Sequence, residues 1–230
     1  MPSSREIKAL VRPLLKRRPE LKCDKRVVFF APLTHYLRGV IFAQPWSSRA
    51  FQVWAFTLQL FAGDPEFNVG EHPGSFRRFP HEWPEDPEGT SRLLCDHIER
   101  TCLPMVESMT NPQEHRRDPS YVFGPLRPED DPLSSPLYCF RAAVGACFEG
   151  DFDLAESLTT DFPLLIRYHE ADGLLDKLHF SFARRNRHLL KLLREDRSAI
   201  PGLLHEWEAF SVKSMGLAKY WSPSPFPCDG

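Results

Sequence analysis

Proline is the residue that most limits what this chain can fold into. The 230-residue sequence carries 22 prolines, and many of them fall in two dense runs. Pro65, Pro73, Pro80, Pro84 and Pro87 punctuate 62–89, and Pro112, Pro119, Pro125, Pro128, Pro132 and Pro136 punctuate 110–136. A proline has no amide donor, so neither run can be a helix interior or a central strand. Both are expected to be long loops. The second, which also carries Glu129, Asp130 and Asp131, is taken as the connection between an α+β domain over 1–109 and a helical region over 137–222. An irregular tail over 223–230 is expected to follow.

Between these punctuations the hydrophobic period assigns the elements. Ser3 and Glu6 form a capping box ahead of Ile7, Leu10, Val11, Leu14 and Leu15, which share one helical face. Pro13 falls inside that stretch and should kink it. The basic run Lys16, Arg17, Arg18 suits a helix C-terminus, where cations meet the negative end of the dipole. RVVFF at 26–30 and HYLRGVIFAQ at 35–44 read as a hairpin. AFQVWAFTLQLF at 50–61 is apolar on both faces, so a third strand covered on both sides is expected, with Trp54 and Phe56 largely buried. Short spacers favour an antiparallel meander of three strands or more. A long helix from about 90 to 109, capped by Thr90 or Ser91 and bent by Pro104, should cover the sheet.

Beyond 136 the pattern is helical. Ala142, Ala143, Ala146 and Cys147 make a stripe of small residues that lets helices approach closely. Gly150 should stop that helix and Asp151 should cap a short one with Leu154, Ala155 and Leu158 inward. Further helices are expected over about 174–195, with Leu175, Leu178, Phe182, Leu189 and Leu193 inward, and over 200–220 with Pro201 in its first turn. The fold class is therefore α+β: a helix and an antiparallel sheet capped by a long helix, then an all-helical part.

Two resemblances attach to these strings. AAVGACFEGDFDLAESL at 142–158 resembles one helical hairpin of the tetratricopeptide type, through Gly150, Asp151, Phe152 and Ala155, with Ala143 and Ala146 at small-residue positions. It does not recur, and stacked solenoids need at least about three repeats, so a local αα-hairpin is expected. The order of elements in 1–109, with IKALVRPLLK followed by RVVFF and FQVWAFTLQLF, resembles a class of small bacterial α+β domains of unknown function, some found beside toxin–immunity loci. That likeness implies an immunity-like role and supplies no catalytic residues.

Composition sets bounds on function. A hydrophobic content of 42% and a charged content of 26% are ordinary for a globular chain. The formal net charge of −2 gives no global field to recruit nucleic acid or an anionic membrane, so neither partner is expected. No apolar run approaches the ~20 residues of a membrane span, and the first twenty residues contain no apolar core of a secretory signal. The six cysteines form no C-x-x-C pair. A cytoplasmic setting with free thiols is expected, without a cofactor. The sequence contains no G-x-S-x-G, P-loop, G-x-G-x-x-G or H-E-x-x-H.

Four constellations remain as candidate sites. In the loop 67–83, Phe67, Phe76, Phe79 and Trp83 alternate with His72, Arg77, Arg78, His81 and Glu82. Exposed aromatics with arginine have the composition of protein-binding hot spots; alternatively the rings fold back over the sheet. Along 184–194, Arg184, Arg187, His188 and Lys191 share a helix face opposite Leu189 and Leu193, with Arg185 and Arg194 nearby. That face is either solvated or meets an acidic partner. His169, Glu170, Asp172, Asp176 and His179 could hold a divalent ion, or could simply be solvated charges at a helix end. Cys95, His97 and Cys102, with His72 and His81, are a poorer zinc set, because positions two apart on a helix do not face each other. The expected function is a non-enzymatic binding or interaction protein acting through Phe76, Arg77, Arg78, Phe79 and Trp83 or through Arg184, Arg187 and Lys191. The alternative is a divalent-metal-dependent hydrolase or nuclease using His169, Asp172, Asp176 and His179.

Overall fold

The computed structural model describes residues 2–44, 50–63, 76–79, 83–108, 136–171 and 177–229. They form two compact units, the first within Met1–Leu58, Asn68–Pro125 and Lys219–Ser222, the second within Gln59–Phe67, Leu126–Ala218 and Pro223–Gly230.

The first unit opens on the expected capping box. Ser3 Oγ accepts from the Glu6 amide at 3.3 Å, and the Glu6 carboxylate accepts from the Ser3 amide at 2.7 Å. Helix α1 (Ser4–Leu10) stops at Val11, and α2 (Arg12–Arg17) restarts with Pro13 in its first turn. The irregularity expected at Pro13 falls at Val11, where the backbone stays in the right-handed helical region and the Val11 amide still bonds the Ile7 carbonyl at 3.0 Å. Ile7, Leu10, Val11 and Leu14 are buried along both pieces.

The sheet has five strands: β1 (Leu21–Asp24), β2 (Val27–Phe30), β3 (Tyr36–Ala43), β4 (Phe51–Gln59) and β5 (Phe76–Phe79), neighbours in that order. The two strands added to the expected three are both short edge strands. β1 buries fully only Leu21, so its hydrophobic period is invisible. β5 lies inside the first proline-rich stretch and pairs antiparallel with β4, Phe51 opposite Phe79 and Val53 opposite Arg77. Proline excludes a central strand there, and an edge strand escapes the exclusion.

On one face Val28, Val40, Phe42, Phe51, Val53, Ala55 and Phe79 form a core with the first two helices and with the long helix that follows β5. Phe51 stacks on Phe79 at 4.8 Å and meets Trp83 edge-on at 5.9 Å. On the other face Val27, Phe29, Leu37, Ile41, Phe56 and Leu58 are also buried, as the doubly apolar β4 requires. Trp54 departs from expectation, being only half-buried. Gly39 is needed where β3 crosses β2, because a Cβ there would stand 2.0 Å from the Val28 carbonyl oxygen.

The covering helix starts earlier than expected. α3 (Pro87–His97) is capped by Asp86, which accepts from the Gly89 amide at 2.8 Å. Pro87 occupies its first turn, where the missing amide costs nothing. Thr90 and Ser91 are therefore not caps. Ser91 Oγ instead donates at 2.6 Å to the Leu10 carbonyl, tying α3 to the end of α1. A π-helical turn, Ile98–Cys102, then leads into α4 (Leu103–Ser108). Pro104 withdraws the amide that would bond the Arg100 carbonyl, and the backbone winds wide just before it. Arg17 pairs with Glu99 at 2.6 Å, and Arg18 with Glu107 at 2.7 Å and with Glu20. The basic run is thus partly spent on tying α2 to the covering helix. The strand-like segment near Trp221 completes the unit: Leu33 donates to the Tyr220 carbonyl at 2.7 Å and accepts from the Ser222 amide at 2.8 Å.

The second unit is helical: α5 (Pro136–Phe148), α6 (Phe152–Ala171), α7 (Lys177–Glu195) and α8 (Ile200–Met215). Ala143, Ala146 and Cys147 are fully buried where α5 packs on α6. Gly150 ends α5 at φ 80°, with its amide on the Cys147 carbonyl and the Asp151 amide on that of Ala146. Asp151 then caps α6, accepting from the Leu154 amide at 3.2 Å. Two expectations fail here. α6 is 20 residues long rather than short, and Leu154 is 39% exposed rather than inward. The tail is also less loose than expected, since Phe226 is buried and packs edge-on against Phe61 and Phe148, which stack on each other at 4.6 Å.

α6 runs through Pro163. The ring removes the donor for the Thr159 carbonyl, and the fully buried Asn186 of α7 replaces it, its Nδ2 donating to that carbonyl at 3.0 Å. The architecture is α+β. Among the described residues no helix is long and apolar enough to cross a membrane.

Two outcomes follow from these contacts. Asn186→Leu should destabilise the protein by about 1–3 kcal/mol, the cost of a buried carbonyl left without a donor. In a Pro163→Ala background the helix supplies its own amide, so the same change should cost clearly less; a double-mutant cycle in urea reads the coupling, and simple additivity would refute it. Gly39→Ala should cost more than about 2 kcal/mol, because the two backbones must move apart; an unchanged urea midpoint would mean that the β2–β3 crossing is looser than described.

Candidate functional site

Helix α7 sorts its residues sharply. Phe182, Asn186, Leu189 and Leu193, spaced four, three and four apart, are buried. Arg184, Arg187, His188 and Lys191 are exposed on the opposite side. The buried Asn186 fixes this rotation, because it reaches the Thr159 carbonyl only with the basic residues facing away. Among the described residues Arg184 and Arg187 have no ion-pair partner, whereas Lys191 stands 3.7 Å from Glu195. That pair lies i to i+4 on an exposed surface, where such contacts contribute a few tenths of a kcal/mol.

The remaining basic residues of this segment serve the fold. Arg185 donates to the Ala62 carbonyl at 3.0 Å and to Ser181 Oγ at 3.1 Å, with its guanidinium over the Phe182 ring. Arg194 donates to Glu156 and to Thr160 Oγ, each at 3.2 Å, and so fastens α7 to α6. Arg197, just beyond, pairs with Asp153 at 2.8 Å and with Glu156 at 3.1 Å.

Among the described residues of the aromatic–arginine segment, the side chains do not share one exposed face. Residues 76–79 are strand β5, so alternate side chains belong to opposite faces of the sheet. Phe79 is buried in the core and Trp83 is half-buried against Phe51. Arg77, on the same face as Phe79 and 5.5 Å from its ring, is exposed, as is Arg78 on the other face. Phe76 pairs with Trp54 in the backbone register. Phe67, His72, His81 and Glu82 lie outside the described residues.

The π-helical turn creates a contact that regular helical spacing would not. Residues five apart on an α-helix are separated by about 140°, yet His97 Nε2 lies 3.5 Å from Cys102 Sγ. The pair is not a thiolate–imidazolium nucleophile. Burial pushes the Cys102 thiol up to about 12. Burial, reinforced by the charge of Arg77 and opposed by Asp96, lowers the pKa of His97. Burial likewise raises Cys95, and raises Cys23 and Cys228 to about 11. All six cysteines are free, and these four are held as neutral thiols at physiological pH.

Among the described residues no group of three or more His, Cys, Asp or Glu could hold a metal ion. Cys95 turns away from His97 to the Leu10 carbonyl at 3.6 Å, so the poorer zinc set does not close there. Asp172 and Asp176, with the side chains of His169, Glu170 and His179, lie outside the described residues.

One feature went unread in the sequence. A groove of about 710 Å³ in the first unit is bordered by Arg12 and Lys16 of α2 and by Glu88, Ser91 and Arg92 of α3. Its signal was present in the i, i+4 spacing of Arg12 and Lys16, but the neighbouring Arg17 and Arg18 made the whole run look like a helix end.

Comparison of the chain with known protein families, with curated proteins and with solved structures found no match.

The neutral state of His97 has a consequence for acid stability. With its folded pKa lowered, the native state binds fewer protons than the unfolded chain as the pH falls through about 6.5. Stability is then intact above that value and drops below it. His97→Gln should shrink the difference between urea midpoints at about pH 7 and about pH 5; an undiminished difference would mean that other groups carry all of the acid sensitivity.

Proposed function

We propose that this protein is a binding protein without chemistry of its own, and that it engages an acidic protein partner through the exposed face of α7. The observation that carries the reading is Arg184 and Arg187, without an ion-pair partner among the described residues and lying two turns and one turn from Lys191, on a helix whose Arg185 and Arg194 are held within the fold. Cations left without an internal partner raise the local potential even when the whole chain is near neutral, and so speed encounter with a surface of opposite sign. The four neutral thiols support the same reading, because none has the depressed pKa that a cysteine nucleophile requires. We place the protein in a reducing, cytoplasmic compartment on the strength of its free cysteines. The order of helix, antiparallel meander and helix favours an immunity-type role in a bacterium, with a toxin-like protein as the acidic partner.

The test is the triple change Arg184→Ser, Arg187→Ser, Lys191→Ser. Exposed and nearly unpaired, these side chains should contribute little, so stability should stay within about 1 kcal/mol. Binding to an acidic partner captured from the native cell should weaken, and the loss should be greatest at low salt, where exposed charges are least screened. Salt-independent binding that survives the triple change would remove α7 from the interface.

A further inference from the structure

The groove in the first unit has a charge that the fold does not use. Arg17, Arg18 and Arg100, its basic neighbours along the chain, are paired with Glu99, with Glu20 and Glu107, and with Asp96. Arg12, Lys16 and Arg92, which border the groove, have no ion-pair partner among the described residues. Among the described residues Glu88 is the one acidic member of its lining. Three exposed cations against one carboxylate give a local positive field, and the walls of a groove focus it.

Part of the lining is apolar and stiff. The apolar lining is the buried Leu10 together with exposed Ala9 and Pro13 of α1 and α2 and Pro87 from the first turn of α3. Two prolines and an alanine lose almost no conformational entropy when covered, so contact with them is inexpensive. Among the described residues no aromatic side chain lines the groove. A nucleic-acid strand would find phosphate partners there but no ring on which to stack a base. An apolar floor with a charged rim is the anatomy of a protein-binding surface, and about 710 Å³ is room for a few residues of an extended chain.

We propose that this groove is a docking site for an acidic peptide segment of a protein partner. An apolar side chain of that segment rests on Ala9, Pro13 and Pro87, and flanking carboxylates face Arg12, Lys16 and Arg92. The site is independent of the α7 face, and either can fail without the other.

The experiment uses the full chain and a fluorescein-labelled peptide of alternating glutamate and leucine, followed by fluorescence anisotropy. The same peptide with glutamine for glutamate, and inorganic tripolyphosphate as competitor, complete the set. The acidic peptide should bind, and the glutamine peptide should bind at least about tenfold more weakly, as expected when opposed charges are removed from a rim. Arg12→Glu, Lys16→Glu and Arg92→Glu together should abolish binding. Ala9→Trp, which fills the floor from an exposed helix position and keeps every charge, should weaken it at least about tenfold by displacing the apolar contact. The triple serine variant of α7 should bind the peptide like the wild type. The proposal is overturned if the charge reversal leaves binding unchanged, or if the acidic peptide fails to bind at all. It is equally overturned if Ala9→Trp has no effect while tripolyphosphate displaces the peptide fully, because that pattern describes attraction of any polyanion. Loss of peptide binding in the α7 variant alone would assign the peptide to the other surface, which also overturns it.

Discussion

The orientation of α7 depends on a single carbonyl. Pro163 cannot bond the Thr159 oxygen of its own helix, and a buried acceptor without a donor costs about 1–3 kcal/mol. Asn186 supplies the donor from α7 at 3.0 Å. One amide can reach that oxygen only when the helix is turned one way. With Asn186 inward, Phe182, Leu189 and Leu193 are inward too, and Arg184, Arg187 and Lys191 are presented outward. A defect in one helix thereby sets which face of its neighbour is free for a partner. The Leu10 carbonyl, held by Ser91 across to α3, shows the same use of a helix discontinuity in the first unit.

In that unit the corresponding constraint is β4. Its residues alternate Phe51, Val53, Ala55 on one face and Phe56, Leu58 on the other, all buried. A strand of this kind is unstable unless both faces are covered, so helices alone on one side would not suffice. The Phe51–Phe79 stack at 4.8 Å recruits β5 to its free edge. The close approach of Gly39 to Val28 lets β3 and β2 lie flat enough to carry the core across to β1.

What could be read from the sequence, and what could not, follows from how each element is stabilised. Helices α1 and α5, their caps and the strands β2 to β4 announce themselves, because a run of apolar residues with one period is what buries them. The edge strands were silent. β1 buries one residue fully, and β5 is specified by pairing with β4 rather than by a pattern of its own. The cap of α3 was misplaced because Thr90 and Ser91 are good caps by composition, while Asp86 gains from the proline that follows it. Trp54 is half-buried although Phe56 and Leu58 on the same side of the strand are buried, a difference between neighbours that alternation alone does not convey. For the candidate sites, the exposure of Arg184, Arg187 and Lys191 was legible from helical period. The separation of Arg77 from Arg78 needed the knowledge that 76–79 is a strand, and the His97–Cys102 contact needed the π-helical turn.

The distribution of basic residues is the last thing that neither composition nor net charge conveys. A chain of formal charge −2 has no overall preference for an anion, yet its cations fall into two populations. Arg17, Arg18, Arg194 and Arg197 meet carboxylates across helix junctions, where each cation offsets a charge of opposite sign and contributes no net field beyond the junction. Arg12, Lys16, Arg92, Arg184 and Arg187 meet none among the described residues. An internally paired charge adds little to the field outside, and exposed charges are screened beyond about 8–10 Å in physiological salt, so a molecule close to the surface senses mainly the unpaired cations. Arg12, Lys16 and Arg92 lie on one helix surface and Arg184 and Arg187 on another, and in both places some neighbouring cations are held in internal pairs. The ion pairs that hold the helices together thus also decide which cations of a balanced sequence remain free on these two surfaces.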